Sequence, residues 1–201
     1  MDFSFFNPYS YIRILHAVPD APAVDVYADN IKIASNLPFK NLTDYLRVRS
    51  GRYMIKIFPA GETQNPVLRR TVNIQARSIL TIAATGKLEN IDLLSISDYE
   101  HYQRRNAFFR VIHLSPDAPA VSVRLDGRTL YRNIRFEEIN RYIPVNPATY
   151  TLNIFTVSND QRVLKIPNIV LQDNLYYTAY ILGLVEGNPS LQVITVIDGI
   201  I

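Results

Sequence analysis

The chain of 201 residues has no cysteine and no tryptophan, and it holds only 7 glycines and 3 histidines. Without cysteine there are no disulfide staples, thiolate metal sites or cysteine nucleophiles. So few glycines leave no phosphate-cradling loop, and no Gly-x-Ser-x-Gly elbow exists to present a serine nucleophile. No apolar run approaches the roughly 18 residues needed to cross a bilayer, so no membrane span is expected. The stretch Met1-Asp2-Phe3-Ser4-Phe5-Phe6-Asn7-Pro8 has neither a basic n-region nor an apolar core of signal length, so no export signal is expected there. A concentrated basic patch is also missing. Residues 1–98 carry 11 basic and 9 acidic side chains and residues 99–201 carry 10 and 9, so the net charge of +3 is spread evenly. Nucleic-acid binding is therefore not expected.

What is present points to strands. Hydrophobic residues make up 48% of the chain and charged residues 19%, the balance of an ordinary globular protein. The 13 tyrosines and 9 phenylalanines, with abundant Ile, Val and Thr, suit pleated, half-buried surfaces.

The chain is also a duplication. Residues 13–26 read Arg-Ile-Leu-His-Ala-Val-Pro-Asp-Ala-Pro-Ala-Val-Asp-Val, and residues 110–123 read Arg-Val-Ile-His-Leu-Ser-Pro-Asp-Ala-Pro-Ala-Val-Ser-Val. The same offset aligns Asn36 with Asn133, Tyr45 with Tyr142, Tyr53 with Tyr150, Thr81 with Thr178 and Gly86 with Gly183. Self-similarity on this scale predicts two copies of one unit. The expected domains are 1–98 and 99–201, joined by a polar linker over about 97–106.

Each copy reads as seven or eight short strands. In the first, they fall at Tyr11–Ala17, Val24–Tyr27, Ile31–Ile33, Asp44–Arg49, Arg52–Phe58, Val67–Ile74, Ser78–Ala84 and Ile91–Ile96. Asp29-Asn30 and Asp126-Gly127 sit where two-residue hairpin loops belong. No segment sustains a 3.6-residue apolar period, so almost no helix is expected. The fold class is therefore all-β, two tandem β-sandwiches.

The His16 to Tyr27 run, its partner from His113, and the later Gly51-Arg52-Tyr53 and Phe58-Pro59-Ala60-Gly61 resemble the bacterial family called domain of unknown function 4397. The second copy departs from it, with Thr156-Val157 for Pro59-Ala60, Ala148 for Gly51 and Arg124 for Tyr27. The resemblance implies immunoglobulin-like or prealbumin-like sandwiches, in proteins that are envelope-associated or secreted. It brings no accepted activity and no catalytic residues, and a fold by itself does not supply a function.

The most conspicuous polar pairs are His16 with Asp20 and His113 with Asp117. Such pairs suit acid–base chemistry or metal binding. One histidine and one carboxylate are nevertheless a thin ligand set for a metal. Retention in both copies favours a structural turn built on His16, Asp20, Pro22, His113, Asp117 and Pro119, with the histidine bridging backbone and the aspartate capping the turn. Neither an enzyme nor a cofactor is expected. A Tyr/Arg surface suits stacking on glycan or peptide, with Tyr99, Tyr102, Tyr176 and Tyr177 as candidates against the alternative of core packing. Apolar ends, Phe3, Phe5 and Phe6 and the Val193–Ile201 stretch, either fold back onto their own unit or pair with another molecule. The expected function is a non-enzymatic structural or interaction protein of a bacterial cell surface, envelope or spore layer, with protein partners or self-association. The alternative is a glycan- or peptide-binding module whose partner is an envelope glycan. A cytoplasmic location stays open because no export signal is seen.

Overall fold

Alternating side chains make a strand of every segment with that pattern, because successive residues on a pleated strand face opposite sides. The computed structural model describes residues 9–98 and 105–200, and among them the only helical element is a single 3₁₀ turn at Leu88–Asn90. The chain divides into two compact units at Asp98/Tyr99. The first holds Tyr9–His16 (β1), Val24–Ala28 (β2), Ile31–Leu37 (β3), Leu46–Arg49 (β4), Gly51–Pro59 (β5), Leu68–Ile74 (β6), Ile79–Thr85 (β7) and Asp92–Ser97 (β8). The second holds Ala107–His113 (β9), Val121–Leu125 (β10), Arg128–Ile134 (β11), Ile143–Val145 (β12), Ala148–Thr156 (β13), Arg162–Leu171 (β14), Tyr176–Leu182 (β15) and Gln192–Asp198 (β16).

Each unit is a sandwich of two four-stranded sheets. Their orders are β4-β1-β7-β8 and β3-β2-β5-β6 in the first unit, repeated as β12-β9-β15-β16 and β11-β10-β13-β14 in the second. An immunoglobulin constant domain keeps its first two strands in one sheet. Here β1 and β2 lie in opposite sheets, which departs from that order. All pairings are antiparallel except β1 with β7 and β9 with β15.

The inner faces form the cores. Ile12, Val26, Ile55, Ile57, Ile74 and Ile82 fill the first, and Phe109, Val123, Ile134, Leu152, Ile154 and Ile181 fill the second. Each fully buried aliphatic side chain contributes roughly 1.5–3 kcal/mol. Ile55 and Ile57 face the core as the alternation predicts, while Arg52 is exposed.

The repeated turn residues have a backbone reason. Asn36 and Asn133 adopt φ of 47° and 57° at the bulged β2–β3 and β10–β11 pairings, a left-handed conformation that asparagine tolerates better than most residues. Asp126 and Gly127 are both left-handed, as a type I′ hairpin needs. Two expectations change at the ends of the units. Ser97 closes β8 and Asp98 is buried, so these two residues belong to the first sandwich rather than to the linker. Val193–Asp198 lies within β16, paired along β15, so this apolar stretch folds back onto its own sheet. Phe3, Phe5 and Phe6 lie outside the described residues.

Candidate functional site

The two histidines close the loop that leaves β1 and β9. His16 Nε2 lies 3.0 Å from the Pro22 carbonyl, and Nδ1 accepts the Val18 N–H at 3.3 Å. His113 repeats this with the Pro119 carbonyl at 3.3 Å and the Ser115 N–H at 3.2 Å. Since a carbonyl only accepts, Nε2 carries the proton and the ring is neutral. Burial pushes both imidazoles below their ordinary pKa, and the backbone carbonyl only partly opposes this. With both nitrogens engaged and 1% or less of each residue exposed, neither histidine is placed to meet a substrate or metal.

The aspartates act elsewhere than expected. Asp20 does not cap its own turn but accepts the Leu88 N–H at 2.9 Å, 68 residues away. Asp117 accepts the N–H groups of Val185 at 3.0 Å and Glu186 at 3.3 Å, and within its own turn also the Ser115 hydroxyl at 3.3 Å. Each carboxylate thus ties its corner to the loop before the last strand, where tight turning leaves amides without ladder partners. That coupling runs across the fold and has no local spacing in the sequence.

A second polar group, not foreseen, joins β1 and β7 to residues just after β8 and just before β4. Thr81 Oγ1 donates to Asp98 Oδ2 at 2.6 Å and accepts Arg13 Nε–H at 2.8 Å. Tyr45 OH donates to the same carboxylate oxygen at 2.8 Å, and Arg13 Nη2 lies 3.7 Å from it. The guanidinium carbon sits 4.6 Å from the centre of the Tyr45 ring. The second copy rebuilds the arrangement: Arg110 Nε–H donates to Thr178 at 2.7 Å, Thr178 donates to Asp198, Tyr142 OH donates to Asp198 at 2.5 Å, and Arg110 lies 4.2 Å over Tyr142. A hydroxyl aimed at a carboxylate has the look of a nucleophile with its base. Here the hydroxyl oxygen is also held by the arginine, and Thr81 and Thr178 are fully buried, so the arrangement performs ion pairing rather than attack. The repeat had already paired the two arginines, the two threonines and Tyr45 with Tyr142. Only Asp98 and Asp198 were hidden, because a longer loop shifts their offset from 97 to 100.

The outer face of the β3-β2-β5-β6 sheet carries an aromatic pair. The Tyr27 and Phe58 rings are 5.4 Å apart at 76°, beside a shallow cavity of about 220 Å³ that Asp29, Asn30, Lys56 and Thr63 also line. Below them Asp25, 2% exposed, accepts Lys32 Nζ–H at 2.7 Å and the N–H groups of Asn36 at 2.7 Å and Gly61 at 3.2 Å. Lys32 first, then the Asn36 amide, hold its carboxyl below the usual range despite burial. In the second copy Arg124 takes the place of Tyr27, lies 4.0 Å over Phe155 and pairs with Asp160 at 2.5 Å. Each copy thus sets a cation of its own against the ring, Lys32 Nζ at 5.4 Å from the centre of Tyr27 in the first and Arg124 over Phe155 in the second.

A larger cleft of about 550 Å³ lies at one end of the second sandwich, between the loop 118–121, the β13–β14 hairpin and the loop 184–191. Its size is that of a small-ligand site.

The tyrosines expected on a binding surface are placed differently. Tyr177 faces the core at 4% exposure. Tyr176 points to the other side of the sheet, as neighbours on a strand must, but is only 7% exposed, because it stacks on Phe108 at 4.6 Å and meets Tyr142 edge-on at 5.0 Å. Tyr99 and Tyr102 lie outside the described residues. Among those described, no group of three or more His, Cys, Asp or Glu side chains is placed to hold a metal.

The model of the family described as Domain of unknown function (DUF4397) matches residues 10–124 and again residues 107–198. No curated protein is similar enough in sequence to match the chain. Among solved structures, the crystal structure of CBMbc (family CBM26) from Eubacterium rectale Amy13K in complex with maltoheptaose is similar over 92% of this chain and 96% of its own, at 10% identity and a TM-score of 0.30.

Proposed function

We propose that this chain, which belongs to the Domain of unknown function (DUF4397) family in two tandem copies, is a non-enzymatic interaction protein of a bacterial cell surface, envelope or spore layer. One observation carries the reading. Among the described residues His16, His113 and the Arg–Thr–Asp group of each copy are buried and bonded within their own sandwich. What reaches solvent includes half-buried Tyr27, set edge-on against the buried Phe58, and a cleft with the loops that border it. Rigid sandwiches that spend their polar chemistry on self-support are suited to presenting such surfaces. Immunodetection on fractionated cells, sampled through growth and sporulation, tests the location. Protein in surface or spore fractions supports the proposal, and protein confined to the cytosol overturns it.

A second reading, glycan binding, is favoured by half-buried Tyr27, since an aromatic ring flanked by amide, hydroxyl and ammonium groups suits stacking on a sugar. An array of envelope polysaccharides checks it. Binding lost in Tyr27→Ala with the melting temperature unchanged supports the platform, and an array without signal removes it.

A further inference from the structure

Differences between the two copies meet at the cleft of the second unit. Strand register makes Thr156 the counterpart of Pro59, since Thr156 pairs with Val121 as Pro59 pairs with Val24. Leu164 and Leu68 are likewise equivalent, each opposite the matching isoleucine, Ile154 or Ile57. Two residues earlier, Arg162 therefore replaces Pro66. In the loop, the Asp20–Leu88 and Asp117–Val185 bonds are equivalent. After them, the four residues Glu186-Gly187-Asn188-Pro189 stand where the first copy has only Glu89. A hydroxyl and a guanidinium have replaced two prolines, and the bordering loop is longer.

The cleft so formed has an aliphatic floor of Val121, Val163, Leu184 and Leu191, and Arg162 stands among its lining residues. Arg162 is exposed, and its guanidinium makes no hydrogen bond or ion pair with any described residue. Of the nearby acids, Asp117 is engaged by the Val185 and Glu186 amides and Asp160 by Arg124, while Glu186, in the bordering loop, forms no ion pair with Arg162. A cation left over at the edge of an apolar recess selects a ligand with an aliphatic body and an anionic end, and the planar guanidinium fork matches a carboxylate best.

We infer that the cleft of the second unit binds a small aliphatic carboxylate, its chain against Val121, Val163, Leu184 and Leu191 and its carboxylate on Arg162. The inference rests on reading the protein as a binding module, though the cleft failing would leave cell location and the Tyr27 platform untouched. The test titrates the full chain with octanoate and follows the methyl resonances of Val163, Leu184 and Leu191 by NMR. Saturable shifts of those methyls are expected, with affinity roughly tenfold weaker in Arg162→Gln, the equivalent of about 1.4 kcal/mol. Val163→Phe, which fills the recess from an exposed edge position, should abolish binding. Octan-1-ol, which lacks the charge, should bind more weakly. N-acetyl-leucylvaline distinguishes a free acid from a peptide end: tighter binding than octanoate assigns the carboxylate to a peptide terminus and keeps the site. Absence of saturable shifts with octanoate and the dipeptide, equal binding of octanol, or unchanged affinity in Arg162→Gln overturns the inference.

Discussion

Replacing His16 by alanine removes a bridge between two backbone groups. The Val18 amide, in a residue 1% exposed, loses its acceptor and gains no water, which costs about 1–3 kcal/mol. The Pro22 carbonyl belongs to an exposed residue and can be rehydrated, so its loss is nearer 0.5–1 kcal/mol. Adding the vacated ring volume, we expect a loss of about 2–4 kcal/mol, a melting point lower by roughly 10–20 °C for a unit of this size. Acid pH changes the comparison. Burial holds the folded pKa of His16 below the ordinary value near 6.5, so below that pH the unfolded chain binds a proton that the folded chain refuses. The stability contributed by the neutral ring is complete above about pH 6.5 and is lost as pH falls towards the folded pKa, by at most about 1.4 kcal/mol per pH unit. His16→Ala has no such loss. The gap between wild type and variant, measured by urea unfolding at pH 7.5 and 5.5, should therefore narrow at the lower pH. A variant as stable as wild type at pH 7.5, or a gap that widens on acidification, would refute the neutral bridging role.

Two further outcomes follow from the packing. Thr178→Val keeps the shape of the side chain but withdraws the hydroxyl from between Arg110 and Asp198, so calorimetry should show a loss of about 2–4 kcal/mol, and an unaltered melting temperature would mean the ions do not depend on it. Gly183→Ala should cost well over 1 kcal/mol, because φ is +87° and the new methyl would collide with the Ser190 carbonyl. Gly127→Ala, at φ +84° with open space around it, should cost only about 1 kcal/mol, and equal losses at the two positions would discount the collision.

Legibility differs sharply among the residues that matter. The histidine corners were plain because both partners of each ring lie within six residues, and a local turn leaves a local motif repeated at one offset. The reach of Asp20 and Asp117 was hidden, since a carboxylate that caps a loop 68 residues away looks the same in sequence as one that caps its own turn. Tyr176 shows a related limit. Alternation correctly puts it on the face opposite Tyr177, but its cover comes from Phe108 and Tyr142, on other strands. The cleft beside Arg162 had only a faint sign, the change from Pro59-Ala60 to Thr156-Val157, because an opening is a property of three loops together.

From the chain alone came the duplication, the all-β class, the strand positions and the family resemblance, all of which depend on residues near one another or on identity at a fixed offset. A side-chain period of two and a turn residue act within a few positions, so they can be read without knowing the partner strand. The tertiary structure decided the rest: that β1 and β2 enter opposite sheets, that β1 runs parallel to β7, that Asp98 meets Arg13 and Thr81, and that the second sandwich opens beside an unengaged arginine. Those choices come from burying two sheet faces against each other, a balance of packing and desolvation taken over the whole unit rather than stored in any segment of it.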